Sequence, residues 1–131
     1  MSGRCLLDTH LVLWWVAGDR RLGAPTRRLI ESSACAVSVI TMAEISMKAA
    51  AGKLRLPAQP LDERLGHAGI AILPLSLGHV QAASRLMGHH ADPFDCLLVG
   101  TALSERMQFA TRDQVLLEHA AMLLGDLLVE A

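Results

Sequence analysis

The stretch "HHADPFDCLLVGTAL", residues 89–103, places two carboxylates three positions apart directly before an apolar helical run. Asp92 followed by Pro93 is a helix start. An aspartate at the N-cap accepts from an orphan backbone N–H, and a proline tolerates the first helical position because its missing N–H has no intrahelical partner there. Asp95 then falls in the first turn, where the helix dipole favours negative charge. Local structure alone therefore accounts for both acids. Chemistry enters only if acids elsewhere in the chain converge on the same helix end.

Working outward, the helix at 93–105 runs into "MQFAT" at 107–111, a buried strand ended by Arg112 and Asp113. Upstream, a helix is expected from Leu77 to Met87, and "IAILPL" at 70–75 reads as a strand. Pro57 and Pro60 mark a loop before a short helix holding Leu61, Leu65 and His67. "AVSVI" at 36–40 reads as a continuous apolar run rich in β-formers, which predicts a strand buried on both faces, as in a parallel sheet. Thr41 reads as the N-cap of the next helix, with Glu44 in the capping-box position and Gly52 as the stop. At the N-terminal end, "RCLLD" at 4–8 is a strand closing on an acid, Thr9 caps a helix that runs to Gly18, and a second helix spans Pro25 to about Ser33. After Gln114 the text is ambiguous: "LLEHAAMLL" is helical, and "LLVEA" is a candidate last strand. Alternating strands and helices predict an α/β sandwich around a mainly parallel sheet.

The totals agree with one such domain. The chain has 131 residues, 52% hydrophobic and 19% charged but only 3% aromatic, so the core must be built mainly from aliphatic side chains. Twelve basic and 13 acidic residues give a net charge of −1, with no one-sign block to form a nucleic-acid arm or membrane-surface helix. Cys5, Cys35 and Cys96 are far apart and odd in number, which argues against a disulfide framework or zinc knuckle and for a reducing cytoplasm. The apolar piece "LVLWWVAG" at 11–18 is too short for a membrane span, and a cleavable leader is not expected.

Four acids then occupy related places. Asp8 ends the first strand, Glu44 follows the second, Asp113 follows the fourth, and Asp95 opens the helix that leads into the fourth. In doubly wound sheets the carboxyl ends of the strands line the ligand crevice. Carboxylates gathered there repel and raise one another's pKa unless a cation joins them. An oxygen-only set suits Mg²⁺ or Mn²⁺, and the chemistry such a site fits is phosphodiester hydrolysis.

"LLDTHLVLWW", "AEISMKAAAGKLRLP", "HHADPFDCLLVGTAL" and "ATRD", in this order and spacing, resemble the PIN-domain ribonucleases, specifically the VapC-type toxins of bacterial toxin–antitoxin pairs. The resemblance covers about residues 5–118. It implies a single PIN domain over residues 1–131: a three-layer sandwich with strand order 3-2-1-4-5. It also implies a Mg²⁺ or Mn²⁺ site, metal-dependent RNA cleavage, inhibition by a small antitoxin, and a homodimer. The family's acidic set falls on Asp8, Glu44, Asp95 and Asp113, and its hydroxyl residues on Thr9 and Thr111. The tail after Glu118 departs from the family's usual short final strand.

Several residues keep two readings. Asp92 is a cap or an outer metal contact. Lys48, one turn after Glu44, is a surface ion pair or a phosphate contact, and the same choice holds for Arg112. Lys53 and Arg55 read as solvated or as tracking an RNA backbone. His10, His89 and His90 lack ligand spacing with Cys96 and read as structural or rim residues. Trp14 and Trp15 are adjacent on a helix and cannot face the same way, so one is core and the other a candidate interface residue. The rival functions are a PIN-fold binding module and a non-enzymatic phosphoacceptor domain. The latter needs an Asp after the third strand and a Lys after the fifth, and neither is present.

Overall fold

A computed structural model of the protein describes residues 4–32 and 34–131. The elements are β1 (Cys5–Leu7), α1 (Thr9–Ala17), α2 (Ala24–Ser32), β2 (Cys35–Ser38), α3 (Val39–Ala50), α4 (Leu61–His67), β3 (Ala71–Leu73), α5 (Leu77–Ala83), α6 (Pro93–Glu105), β4 (Gln108–Thr111), α7 (Gln114–Leu124) and β5 (Leu128–Glu130). The expected end of α2 at Ser33 lies outside the described residues.

The five strands form one all-parallel sheet in the order β3-β2-β1-β4-β5, with β1 at the centre. Because side chains alternate along a strand, β1 feeds both faces. Leu6 packs with Leu98, Val99, Phe109 and Leu116 on the α5–α7 side, whereas Cys5 and Leu7 pack with Leu11, Trp15, Ile30 and Ile45 on the α1–α4 side. Burial on both faces explains why these strands read as continuous apolar runs. The result is the expected three-layer sandwich.

The helix boundaries show where single hydroxyls and carboxylates outweigh propensity. β2 stops at Ser38, not at residue 40, because the Ser38 hydroxyl accepts from Ile40 N–H (3.0 Å) and starts α3 there. Thr41 is therefore inside α3 and fully buried, and its expected capping box with Glu44 does not form. Likewise Asp8, not Thr9, caps α1. The helix expected over 77–87 ends at Ala83, and turns lead to a parallel bridge between Met87 and His90. The third strand is shorter than residues 70–75 and lies at the sheet edge. The open question at the C-terminus resolves with both elements present: α7 takes "LLEHAAMLL", and β5 pairs with β4 through Phe109 and Leu128.

α5 crosses α6 at Gly100, where a Cβ would stand 2.5 Å from both Ala83 N and His79 O. Only glycine permits that approach. Among the described residues no helix is long and apolar enough to cross a membrane.

Candidate active site

Asp8 leaves the carboxyl end of the central strand and is 2% exposed. Its Oδ1 accepts from Thr9 N–H (2.7 Å) and its Oδ2 from the Thr111 hydroxyl (2.7 Å). Thr111 ends the neighbouring strand β4, and its oxygen also accepts from Asp113 N–H (3.1 Å), so one hydroxyl ties the two acidic positions together. Asp113 caps α7, accepting at Oδ1 from Val115 and Leu116 N–H. Asp8 and Asp113 line a common cavity of about 200 Å³ with His10, Trp14 and Arg112.

Burial raises the pKa of the Asp8 carboxyl, and the Asp113 charge adds to the rise, against the bonds from Thr111 and Thr9 and the nearby His10. Asp95, in the first turn of α6, is pushed up to about 6, first by burial and then by the charges of Asp8 and Asp92, with the bond to His90 opposing. Three acids thus share one electrostatic field. Asp92 itself caps α6, its Oδ1 accepting from Phe94 N–H (2.9 Å) and Asp95 N–H (3.4 Å).

Glu44 sits one and a half turns into α3, and the start of α3 is joined to that of α1 by the bond between the Thr9 and Thr41 hydroxyls (2.9 Å). With the capping box gone, Glu44 has no helix-end duty. Its side chain is 4% exposed, and Lys48 Nζ lies 2.9 Å from Oε2. Oε1 is buried with no hydrogen-bond partner. A buried, unpartnered carboxylate oxygen is costly and calls for an explanation.

Arg112 lines the cavity but directs its donors elsewhere. The guanidinium binds the carbonyls of Arg21, Leu22 and Ala131 and the Thr26 hydroxyl, fastening the end of the chain and the turn before α2 to the strand β4. It also lies 5.2 Å from the Trp14 ring, which Arg21 approaches at 5.0 Å. Trp15 is the buried member of the tryptophan pair, and Trp14 the half-buried one.

The histidines hold what sequence reading missed. His90 Nε2 lies 2.9 Å from Asp95 Oδ2, and its Nδ1 lies 2.8 Å from Nδ1 of His119 on α7. His119 is 29 residues away from His90, and no local spacing signals that contact.

The donor chemistry fits a hard divalent cation: oxygen ligands only, an orphaned buried Glu44 oxygen, and carboxyls at Asp8 and Asp95 raised by crowding and burial. Among the described residues, however, no three His, Cys, Asp or Glu side chains stand close enough to form a ready-made ligand cluster.

No curated protein matches the chain significantly. Its fold is similar to that of several solved structures. VapBC2 from Rickettsia felis, bound to a DNA fragment from its promoter, superposes with a TM-score of 0.66 at 14% identity, covering 98% of this chain and 97% of that one. FitAcB from Neisseria gonorrhoeae gives 0.65 at 22% identity over 97% and 96%. A toxin–antitoxin complex from Klebsiella pneumoniae gives 0.59 at 18% over 83% and 86%. These likenesses concern the fold, and the sequence itself matches the PIN domain model over residues 5–122. With that match spanning nearly its whole length, and with the parallel 3-2-1-4-5 sheet in place, the chain belongs to the PIN-domain family.

Proposed function

We propose that this protein is a metal-dependent endoribonuclease, the toxin of a type II toxin–antitoxin pair, acting in the cytoplasm on RNA phosphodiester bonds. The observation that carries the reading is the buried Asp8 at the end of the central strand. It shares a cavity with Asp113, and its charge acts on Asp95. Asp8, Glu44, Asp95 and Asp113 hold Mg²⁺ or Mn²⁺ in this proposal. When bound, the cation supplies Lewis acidity toward a phosphoryl oxygen and a water nucleophile at neutral pH.

The remaining work falls to the chain. Thr9 N–H and the Thr111 hydroxyl fix both oxygens of Asp8, and Thr111 keeps Asp113 in register with it. Lys48 steadies Glu44 from one side and leaves Oε1 for the ion. Attack by water with departure of the 3′ oxygen yields 5′-phosphate and 3′-hydroxyl ends. One solved neighbour is a toxin–antitoxin complex, which supports a small protein antitoxin as partner here. A homodimer completes the proposal, to be checked by analytical ultracentrifugation.

The test is to incubate the purified chain with total RNA, with Mg²⁺ or Mn²⁺ and with chelator, and to map the cut ends. Cation-dependent internal cuts with 5′-phosphates are expected. Cleavage that survives chelation, or that Asp8→Asn leaves undiminished, would sink the reading.

A further inference from the structure

Five residues before Asp95, His90 is held at each of its polar atoms. Its backbone N–H donates to Leu86 O (3.2 Å), and its carbonyl accepts from Cys96 Sγ (3.6 Å). In the ring, Nε2 meets Asp95 Oδ2 at 2.9 Å and Nδ1 meets His119 Nδ1 at 2.8 Å, with the His90 side chain only 6% exposed. The bridge from Met87 fixes the same loop. None of this is needed to start α6, because Asp92 already caps it.

Proton counting gives the Asp95 contact a direction. An ionised carboxylate only accepts, so Nε2 of His90 donates to Asp95. The contact between the two Nδ1 atoms needs one proton, carried by either ring. Either way one continuous chain of short contacts joins His119, His90 and Asp95. It draws on the loop before α6, the first turn of α6 and the middle of α7. It also takes one Asp95 oxygen and leaves the other, Oδ1.

We propose that His90, oriented by His119, is a positioning residue for the cation site: it fixes the rotation of the Asp95 carboxylate and reserves Oδ1 for the metal ion. The inference rests on the assignment of Asp95 as a ligand made under Proposed function. Ligating carboxylates are themselves oriented by hydrogen-bonded neighbours, and loss of such a neighbour costs about 10- to 100-fold in metal affinity.

The experiment titrates the full-length protein with Mn²⁺, reading free Mn²⁺ by electron paramagnetic resonance. Wild type, Asp95→Asn, His90→Ala, His90→Gln, His119→Ala and His119→Asn are compared, and melting temperatures are taken without metal. The Gln amide nitrogen reaches close to the place of Nε2, and the Asn amide nitrogen close to that of Nδ1. His90→Ala should weaken Mn²⁺ binding about 10-fold or more, and His90→Gln should recover most of it. His119→Ala should weaken it less, with His119→Asn restoring it. A purely structural role would lower the melting temperature of both alanine variants and leave their Mn²⁺ affinity at the wild-type value. That result, with Asp95→Asn having lost binding, overturns the positioning role and spares the cation site. Saturable Mn²⁺ binding missing from the wild type, or unchanged in Asp95→Asn, overturns both. Should His90→Ala not fold, the half-buried His119 pair of variants decides by the same criterion.

Discussion

The two ends of α6 carry the same contact in different surroundings. At the C-terminal end His79 Nε2 lies 2.8 Å from Glu105 Oε2, and at the N-terminal end His90 Nε2 lies 2.9 Å from Asp95 Oδ2. Around Glu105 every group has a structural account. His79 accepts from Ser76 N–H and donates its own backbone N–H to the Ser76 hydroxyl, closing a capping box for α5, and its ring offsets a carboxylate at a helix end where the dipole disfavours it. Around Asp95 the account is incomplete. The cap is supplied by Asp92, yet a second carboxyl is held beside it, 14% exposed and pushed up to about 6 by burial and by neighbouring charge. A histidine–carboxylate contact is therefore no marker of function by itself. What distinguishes the two ends is the negative charge that the fold leaves unbalanced at one of them.

Asp95→Asn should separate the ends most widely. If Asp95 holds the catalytic ion as proposed, cleavage is expected to fall on the order of 100-fold or more, since such a group contributes several kcal/mol and each 1.36 kcal/mol is tenfold in rate. Stability should move the other way. The folded pKa of about 6 lies above the ordinary 3.8, so ionisation is harder in the folded chain than in the unfolded one. The stability linked to this carboxyl is full below about pH 3.8 and lost as pH rises through about 6. In chelator, Asp95→Asn should therefore melt above the wild type at pH 7.5, and the two should converge toward pH 4. The raised Asp8 carboxyl slopes the same way and is common to both proteins. A variant that melts lower than the wild type at pH 7.5 would mean that the Asp95 charge stabilises the fold, and the contrast with Glu105 would collapse.

Gly100 sits between the two ends and belongs to the structural one. A methyl group there would press on the backbone of α5 at Ala83 and His79, which cannot rotate away as a side chain would. Gly100→Ala should cost about 1–3 kcal/mol in urea unfolding, the usual range for an overpacked core, with Mn²⁺ affinity per folded molecule unchanged. Lost affinity at full stability would show that the helix crossing sets the geometry of the acidic end.

How much of this could be read beforehand follows from the range of the forces. The strand at Cys5–Leu7 and the start of α6 at Asp92 were legible because continuous burial and capping are written within a few residues. So were the positions of Asp8 and Asp113, which follow from strand ends. Ser38 was overlooked because it stands among Val37, Val39 and Ile40, whose β-branched side chains outvote one hydroxyl in a local reading. That misplaced start gave Glu44 a capping duty it does not have. β5 was undecidable from "LLVEA" because it is selected by distant partners: Phe109 across the sheet, Thr111 O for Ala131 N–H, and Arg112 on the Ala131 carbonyl. The contact of His90 with His119 belongs to the same class, since the tertiary fold alone brings α7 to that loop.

The smallest effect is the sharpest check on the comparison. Glu105 is 41% exposed, so its hydrogen bond from His79 competes with water and should contribute only about 0.2–1 kcal/mol. Glu105→Gln keeps an oxygen that can accept from His79 Nε2 and removes only the charge. A fall in melting temperature on the order of 1–4 °C is expected, with RNA cleavage at the wild-type rate. Asp95→Asn makes the same chemical change, carboxylate to amide beside a histidine, at the other end of one helix. If the two substitutions altered cleavage alike, the difference between the ends would not lie in where their charges are held, and the acidic edge of the sheet would lose its claim to the chemistry.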